Sequence, residues 1–444
     1  METRAPEMYD VVGVGFGPAS LSLAAALVES QDDLSGKRLT AAFFERQNTF
    51  GWHRDMVLPL AKMQVSFLKD LATFRNPSSS FSFVSYLHSM GRLAEFVNNQ
   101  DFFPTRREFH DYLEWGAARV ASYVTYGAHV TGIDFVADGP CAGALAVTVK
   151  RANQAIRTVY AHNVVISTGL EARMPSGIDR DDHVWHSSEF LGRFENADRG
   201  RLGRVAVAGA GQSAAEIARF LYDSLPEASV FAIIPSYGYS IADDTPFANE
   251  VFGADAVDDQ YFGSGESREA FWRYHRNTNY SVVDAEVISD LYRRMYEDKL
   301  LKADRLNFLK LSRVSGVRRV GDQTRLSIES LRQGTPGELD VDVLVCATGY
   351  NPMQPAGLLG EIDPYIFRDE AKRYRVERDY RLVTNLDLPG GIYLQGGTEH
   401  AHGLVSSLLS NIAVRSGEIV ESILSRRTRW EIDYTAAVNV LPTS

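Results

Sequence analysis

Apolar positions along this chain fall into short continuous runs separated by polar turns. Runs at 9–14 and 204–208 are typical of strands buried on both faces of a parallel sheet. Each of the two runs enters a glycine-rich turn, and an alanine-rich stretch with helical spacing follows, at 20–28 in the first case. A strand, a glycine turn and a helix in this order open a doubly wound unit. The pattern therefore predicts an α/β chain with two Rossmann-like, dinucleotide-binding domains.

The rest of the pattern completes these two units. Strands are predicted at 39–44, 130–135, 144–150, 158–161, 163–169, 229–234, 313–320, 325–330, 343–345 and 391–395, and helices at 111–122 and 404–424. A segment dense in aromatic and acidic residues, 237–302, is too long for a connector and predicts a smaller, mostly helical insertion that contacts the substrate. We predict that the first domain spans 1–170 and 340–444, and the second 171–236 and 303–339.

Composition narrows the classes of partner. The chain has 444 residues, of which 45% are hydrophobic and 23% charged, enough for two or three domains. A net charge of -11 argues against nonspecific binding of nucleic acid or of an anionic membrane. No apolar run approaches the roughly 20 residues that span a bilayer. Two distant cysteines, Cys141 and Cys346, predict neither a disulfide framework nor a metal site, and we expect a cytoplasmic protein without a metal.

The first glycine turn holds Gly13, Gly15 and Gly17, with Pro18 where a helix would begin. Its backbone amides and the positive end of the helix can receive a pyrophosphate, and proline is well suited to a first helical position. Glu45 ends the second predicted strand and can accept hydrogen bonds from ribose hydroxyls, although a solvated strand end is the simpler alternative.

The second glycine turn holds Gly209 and Gly211, and Gln212 and Ser213 begin the helix after it. Their side chains can donate to a phosphate or to a nicotinamide amide, while helix capping by Ser213 is the alternative. Two such turns in one chain favour an enzyme that passes electrons from a nicotinamide to a flavin. No C-x-x-C pair is present, which disfavours a disulfide reductase.

Longer segments resemble a known family, the flavin-dependent N-hydroxylating monooxygenases that act on the side-chain amines of ornithine and lysine. These segments contain the first turn (13–18), Trp52-His53, 63–71, 209–216, 243–250, 278–283 and 347–350, in the same order as in the family. A Baeyer-Villiger or sulfur-oxidising flavin monooxygenase is disfavoured, because the sequence fingerprint that those enzymes carry before the second turn is missing. In that region this chain has only the segment 186–190, which does not match the fingerprint.

The resemblance implies a reaction. NADPH reduces FAD, dioxygen adds to the reduced flavin, and the neutral amine attacks the resulting flavin hydroperoxide, in a pathway to a siderophore or another nonribosomal peptide. Segments 65–71 and 73–77 are more similar to the ornithine enzymes, so L-ornithine is the expected substrate. L-lysine or a diamine remains an alternative, since one methylene changes binding by only about 1 to 3 kcal/mol. An inactive nucleotide-binding scaffold is the non-enzymatic alternative.

The resemblance also implies roles for individual residues. Lys69 would bind the substrate α-carboxylate, and the polar groups of Asn249, Asn279 and Ser410 would complete the substrate site. Gln64 and Asn279 would act at the reacting centre. The residues implied at the cofactors are Trp52, His53, Gln64, Arg106, Thr348, Gly349, Tyr350 and Leu404. Without the resemblance, Lys69 would be interpreted as a surface residue and His53 as a core histidine, and Arg107 competes with Arg106.

The chain departs from the family at one position. Several relatives carry an arginine where this chain has Pro235, and that arginine contacts the 2'-phosphate of NADPH. We expect NADPH to be used, with Ser213 or Arg276 as replacements, and NADH to be accepted as well. By resemblance, the chain is expected to form a homo-oligomer, a tetramer.

Overall fold

The computed structural model describes residues 6–30, 38–332 and 336–438, with side chains described through Trp430. Its strands are β1 Met8–Val14, β2 Ala41–Glu45, β3 Val124–Tyr126, β4 Ala128–Phe135, β5 Leu145–Arg151, β6 Arg157–Ile166, β7 Glu171–Ala172, β8 Val184–His186, β9 Arg204–Ala208, β10 Ser229–Ile234, β11 Ser240–Ile241, β12 Val282–Val283, β13 Leu306–Lys310, β14 Ser312–Val320, β15 Gln323–Ser330, β16 Pro336–Val341, β17 Val343–Cys346, β18 Tyr350–Asn351 and β19 Gly391–Leu394. Its helices are α1 Pro18–Glu29, α2 Phe83–Ser89, α3 Leu93–Asn98, α4 Arg106–Arg119, α5 Phe190–Asn196, α6 Gln212–Ser224, α7 Pro246–Glu250, α8 Asp255–Phe262, α9 Gly265–His275, α10 Ala285–Leu301, α11 Ala356–Leu359, α12 Glu399–His402 and α13 Ile412–Val438.

The first sheet combines a parallel layer with an antiparallel meander. Strands β3, β2, β1 and β6 are parallel neighbours, and β19 pairs with the second half of β6. The first half of β6 pairs antiparallel with β5, which pairs with β4. The long strand β6 therefore joins both layers, where two separate strands were predicted. Helices α1 and α13 cover one face, with Leu21, Ile419 and Ile423 fully buried.

The second sheet is entirely parallel, in the order β13-β10-β9-β17-β8. Helix α6 packs on it through Ile217 and Leu221, and a small antiparallel sheet, β14-β15-β16, lies beside it. Both doubly wound units predicted from the sequence are present.

The structure corrects two domain boundaries. Strand β17, which we assigned to the first domain, pairs with β9 and β8 in the middle of the second sheet, so that unit continues beyond residue 339. Helix α10, assigned to the insertion, buries Val287 and Leu291 in the same core as α6. Both errors have one cause: residues distant in sequence complete this sheet, and a local pattern does not reveal which sheet a strand joins.

The remainder of the insertion is mostly helical, as predicted, and comprises α7, α8 and α9 with the short strands β11 and β12. Helix α8 contacts α12, and the Tyr280 hydroxyl donates to Glu399 at 2.5 Å. The insertion therefore bridges the second unit and the carboxyl-terminal part of the first. Among the described helices, none combines the length and the apolar character that crossing a membrane requires.

Candidate active site

The first glycine turn lies at the carboxyl end of β1, where Gly13 packs beside the Phe43 ring. Gly15 has φ +86°, and a Cβ there would lie 2.6 Å from the Ser167 carbonyl oxygen, so a side chain is excluded. Gly17 is the N-cap of α1 and has open space where its Cβ would be, and Pro18 is the first residue of the helix. The turn thus presents bare backbone in front of a helix amino terminus.

Glu45 is fixed beside this turn. Its carboxylate accepts the backbone N–H of Phe16 at 2.6 Å and that of Gln47 at 2.8 Å, and the residue is 7% exposed. A carboxylate has about four acceptor positions, so two remain for other donors. The arrangement is suited to a ribose, as predicted from the end of β2.

The second glycine turn follows β9. Gly209 has φ +147°, and a Cβ there would lie 2.3 Å from the Ala347 carbonyl oxygen. Gly211 is the N-cap of α6, and the loop at Ser281 passes directly over it. Asn279 is half-buried in this same loop, so it lies near the second turn.

The structure differs from the sequence interpretation at Gln212. Its Nε2 donates to Glu216 Oε1 at 2.9 Å and to Asp284 Oδ2 at 2.8 Å, and its Oε1 accepts the Asp284 backbone N–H at 2.9 Å. An amide carries two N–H donors, and both are in use. Gln212 therefore holds protein segments together, and the backbone amides and Ser213 remain as donors to a phosphate.

Arg106 is likewise held by protein. Its guanidinium donates twice to Glu216, at 2.9 and 3.1 Å, and once to the Met56 carbonyl at 2.6 Å. Glu216 is 1% exposed, so this bidentate ion pair is largely removed from water. Arg106 starts α4 and Glu216 lies in α6, which means that the pair joins the two units.

Three predicted cofactor residues form an aromatic cluster. The His53 ring contacts Trp52 with centroids 4.9 Å apart and Tyr350 with centroids 5.8 Å apart. The side chain of His53 is exposed, but the surrounding protein atoms partly desolvate it, and this desolvation, with a contribution from the Arg106 charge, lowers its pKa. His53 is therefore neutral at physiological pH. It has φ 45°, a left-handed conformation that is uncommon for a residue with a side chain.

Hydrogen bonds from two side chains fix the backbone at Thr348 and Gly349, between β17 and β18. Arg173 donates to the Thr348 carbonyl at 2.9 and 2.6 Å, and His186 Nε2 donates to the Gly349 carbonyl at 3.1 Å. These contacts position Tyr350 beside His53.

Lys69 lies in a loop built around its neighbour. The buried Asp70 carboxylate accepts backbone N–H groups of Ala72, Thr73 and Phe83 at 2.6 to 2.9 Å. The Lys69 ammonium lies 5.6 Å from the ring centroid of Phe252 in the insertion, and burial lowers its pKa. Among the described residues, no carboxylate lies within ion-pair distance of it, so this half-buried cation is available to an anion.

Buried polar groups converge close to this loop. The Ser22 hydroxyl donates to the Leu71 carbonyl at 2.7 Å and to the Ile412 carbonyl at 3.2 Å, which brings the Lys69 loop beside the start of α13. Just before Ile412, Ser410 is buried, and its hydroxyl has no hydrogen-bond partner in the described part of the chain. Other buried atoms of this stretch lacking a partner there include Thr398 Oγ1, Ser406 Oγ and Asn411 Nδ2. Buried polar atoms are almost always paired, so this stretch is suited to a polar ligand.

The other predicted substrate and cofactor residues make fewer contacts with this part of the site. Asn249 lies in α7, three residues before Phe252, and its Nδ2 donates to the Asp244 carbonyl at 2.7 Å, which leaves its carbonyl oxygen as the group to offer. Leu404 is buried at the turn before Ser410. Among the described residues, no hydrogen bond joins Lys69 to Asn249, Asn279 or Ser410.

Sequence reasoning missed three residues of this site: Glu216, Asp284 and Phe252. Glu216 ends the segment 209–216 that carries the family resemblance, but the sequence assigned no role to it or to Asp284. Asp284 follows directly on the segment 278–283 that carries the family resemblance, and this adjacency was the available signal.

Comparisons with known proteins agree with this geometry. The model of the family described as L-lysine 6-monooxygenase/L-ornithine 5-monooxygenase matches residues 7–352. An L-ornithine N(5)-monooxygenase of Emericella nidulans is 36% identical over 454 residues, covering 96% of this chain and 91% of that protein. An ornithine N-hydroxylase of Kutzneria sp. 744, solved with reduced FAD, NADP+ and L-ornithine, is 59% identical with a TM-score of 0.91 over 95% of this chain and all (100%) of that one.

Two further similar solved structures are an ornithine hydroxylase and a lysine monooxygenase. The ornithine hydroxylase of Pseudomonas aeruginosa is 33% identical with a TM-score of 0.87, covering 95% of this chain and 100% of that one. The L-lysine 6-monooxygenase of Pseudomonas syringae is 28% identical with a TM-score of 0.81, covering 94% of this chain and 99% of that one. The chain belongs to the L-lysine 6-monooxygenase/L-ornithine 5-monooxygenase family.

Proposed function

We propose that this protein hydroxylates the side-chain amine of L-ornithine, using FAD, NADPH and dioxygen. The observation that carries the proposal is the half-buried Lys69 ammonium, which has no carboxylate partner in the described chain and faces Phe252 of the insertion. A cation in such a place is suited to the α-carboxylate of an amino acid. The greater similarity to ornithine hydroxylases than to the lysine enzyme, 59% and 33% against 28% identity, favours ornithine.

The residues present fit both cofactors. Gly15 and Gly17 offer bare backbone at the amino end of α1, and Glu45 retains acceptor capacity for a ribose. The Ser406, Ser410 and Asn411 groups, which lack a hydrogen-bond partner in the described part of the chain, are available to a polar ligand. Gly209, Gly211 and the amino end of α6 form the corresponding cradle for NADPH. When bound, FAD accepts hydride from NADPH and activates dioxygen.

The overall reaction balances as R–NH2 + O2 + NADPH + H+ giving R–NHOH + H2O + NADP+. The protein's own contribution is positioning and exclusion of water. Lys69 binds the α-carboxylate, so the extended side chain of the substrate reaches away from it by a fixed length. Asn249 offers its carbonyl oxygen, and Asn279 lies beside the second turn. The neutral His53, between Trp52 and Tyr350, contributes an uncharged wall.

A substrate panel tests the proposal. Hydroxylamine product and NADPH oxidation are measured with L-ornithine, L-lysine and putrescine. We expect coupled product with ornithine, less with lysine because its amine lies one methylene too far, and least with putrescine because it has no carboxylate for Lys69. Equal product from lysine would refute the ornithine assignment, and no product from any amine would refute the activity.

Four finer points stay predictions. NADPH is the expected reductant, with NADH also accepted because Pro235 stands at the end of β10; a ratio of kcat/KM above about a thousandfold, roughly 4 kcal/mol, would contradict that tolerance. The tetrameric state is tested by solution scattering, and the cytoplasmic location by fractionation. The role in siderophore or related peptide biosynthesis fits the hydroxylated amino acid product.

A further inference from the structure

Two buried or half-buried acids connect the predicted cofactor residues. Asp284 Oδ1 accepts Gln64 Nε2 at 3.0 Å and its Oδ2 accepts Gln212 Nε2 at 2.8 Å. Gln212 continues to Glu216, which pairs with Arg106. The contacts thus run without a break from Gln64 in the first unit, through Asp284 before α10, to α6 and back to α4.

Asp284 does not serve the helix that it precedes. It occupies the N-cap of α10, where an aspartate ordinarily accepts a backbone N–H of the first turn. Here no side-chain capping bond is formed. Both carboxylate oxygens are directed to glutamine amides from two different units. The position of Asp284 is therefore explained by Gln64 and Gln212, and not by the start of the helix.

A carboxylate beside a side-chain amide determines the orientation of the amide nitrogen and oxygen. It only accepts hydrogen bonds, so a glutamine beside it must present its nitrogen and direct its carbonyl oxygen elsewhere. Gln212 is fixed twice, since its own carbonyl accepts the Asp284 N–H. Gln64 is exposed and has one fixed end, which leaves its Oε1 without a hydrogen-bond partner in the described part of the chain. The same Asp284 contacts Gln212 at the start of α6, so this amide lies close to the second glycine turn.

We propose that Asp284 is a positioning residue that holds the Gln64 amide with its carbonyl oxygen toward the nicotinamide dinucleotide. The inference rests on the proposed function, because it assumes that NADPH binds in this cleft. Asp284 itself need not touch the cofactor. Its effect on binding is transmitted through Gln64.

Binding of NADP+ to the oxidised, FAD-loaded enzyme tests this, with Kd measured by calorimetry. We expect D284A and Q64A each to weaken NADP+ by about tenfold, the value of about one hydrogen bond. The double variant should be no weaker than either single one, because both changes remove the same oriented amide. Additive effects, or a D284A Kd within twofold of wild type, would overturn the positioning role.

Two further variants keep the result decisive. D284N retains the size of the side chain but can accept a hydrogen bond from only one glutamine, so the amide of the other glutamine must turn. We expect this variant to bind NADP+ more weakly, with flavin content and Tm close to those of wild type. It replaces D284A should that variant fail to fold, and unchanged affinity would count against the proposal. E286Q removes an exposed carboxylate two residues along and should leave Kd unchanged.

The proposed function is judged separately, by ornithine hydroxylation of the wild type. A wild type that binds NADP+ and hydroxylates ornithine, with variants of unaltered affinity, would refute the Asp284 role alone. A wild type without measurable NADP+ affinity would overturn both.

Discussion

Replacing Lys69 by alanine removes the cation that we assign to the substrate carboxylate. Truncating one partner of a buried, hydrogen-bonded charge pair costs about 2 to 5 kcal/mol. Lys69 is half-buried, and the Phe252 ring, 5.6 Å from the ammonium, is the one charge-stabilising contact of its side chain among the described residues, so the lower part of that range applies. We expect a loss of about 2 to 3 kcal/mol, which is roughly 30- to 150-fold in kcat/KM for ornithine.

The way in which the loss divides between KM and kcat is diagnostic. The carboxylate contact is the same before and during the reaction, so its removal should raise KM and leave kcat nearly unchanged. Putrescine has no carboxylate, so wild type and K69A should use it equally well. Steady-state hydroxylamine formation measures both quantities, with K62A as the control, since Lys62 is a surface lysine paired with Asp101 at 3.0 Å. An unchanged KM for ornithine, or an equal loss with putrescine, would refute this reasoning.

Three further predictions follow from local geometry. Gly15→Ala should lower both the flavin content and the Tm, because its Cβ would lie 2.6 Å from a carbonyl oxygen at φ +86°. Gly17→Ala should leave the Tm of the apoprotein unchanged and lower only the flavin content, measured as the ratio of absorbance at 450 and 280 nm. Equal Tm values for the two variants would contradict this prediction. Burial lowers the pKa of His402 to about 4, so the fold favours the neutral ring, and its contribution to stability is lost as pH falls from about 6.5 towards 4. Between pH 7 and pH 5, the free energy of unfolding in urea should therefore fall by about 2 kcal/mol more for wild type than for His402→Gln. The control variant His129→Gln, at an exposed position, should show the same fall as wild type. Asp70→Asn should raise KM for ornithine and lower Tm, because an amide cannot accept all the N–H groups that the carboxylate holds; a fall in Tm with an unaltered KM would show that this loop does not position Lys69.

Local patterns were sufficient for the elements that are themselves local. Each doubly wound opening is a run, a turn and a helix that lie within about 20 to 30 residues, and the glycines at 15 and 209 are dictated by carbonyl groups a short distance away in space. The strand β17 was assigned to the wrong unit because its partners, β8 and β9, lie more than a hundred residues earlier. Side-chain pairing was harder to predict than strand pairing. Nothing in the sequence around Gln212 indicates that Asp284 hydrogen-bonds both the nitrogen and the oxygen of its side-chain amide.

The missed acids also show which donors of Arg106 and Gln212 are already engaged by protein groups, while their cofactor roles stay predictions. A guanidinium and an amide at a nucleotide cleft suggest donors to a phosphate, and resemblance strengthens that reading. In the structure both are bound by Glu216, which is 1% exposed. Withdrawing Arg106 would leave the buried Glu216 carboxylate without its charged partner, a change that costs about 3 to 5 kcal/mol, whereas withdrawing Gln212 would leave the ion pair intact. Direct contact with the cofactor is therefore more costly for Arg106 than for Ser213 or the backbone amides of α6.

The network accordingly has two ends with different capacities. At the Arg106 end the guanidinium donates to the buried Glu216 carboxylate and to the Met56 carbonyl, so this part sets how the two units are docked. At the Gln64 end the amide is exposed, and its carbonyl oxygen has no hydrogen-bond partner among the described residues, so this part can respond to a ligand. Asp284 lies between them and contacts both glutamines. A change at Asp284 should therefore alter cofactor binding through Gln64 while the Arg106–Glu216 pair keeps the units together, which is why the affinity of NADP+, and not stability alone, is the measurement that tests its role.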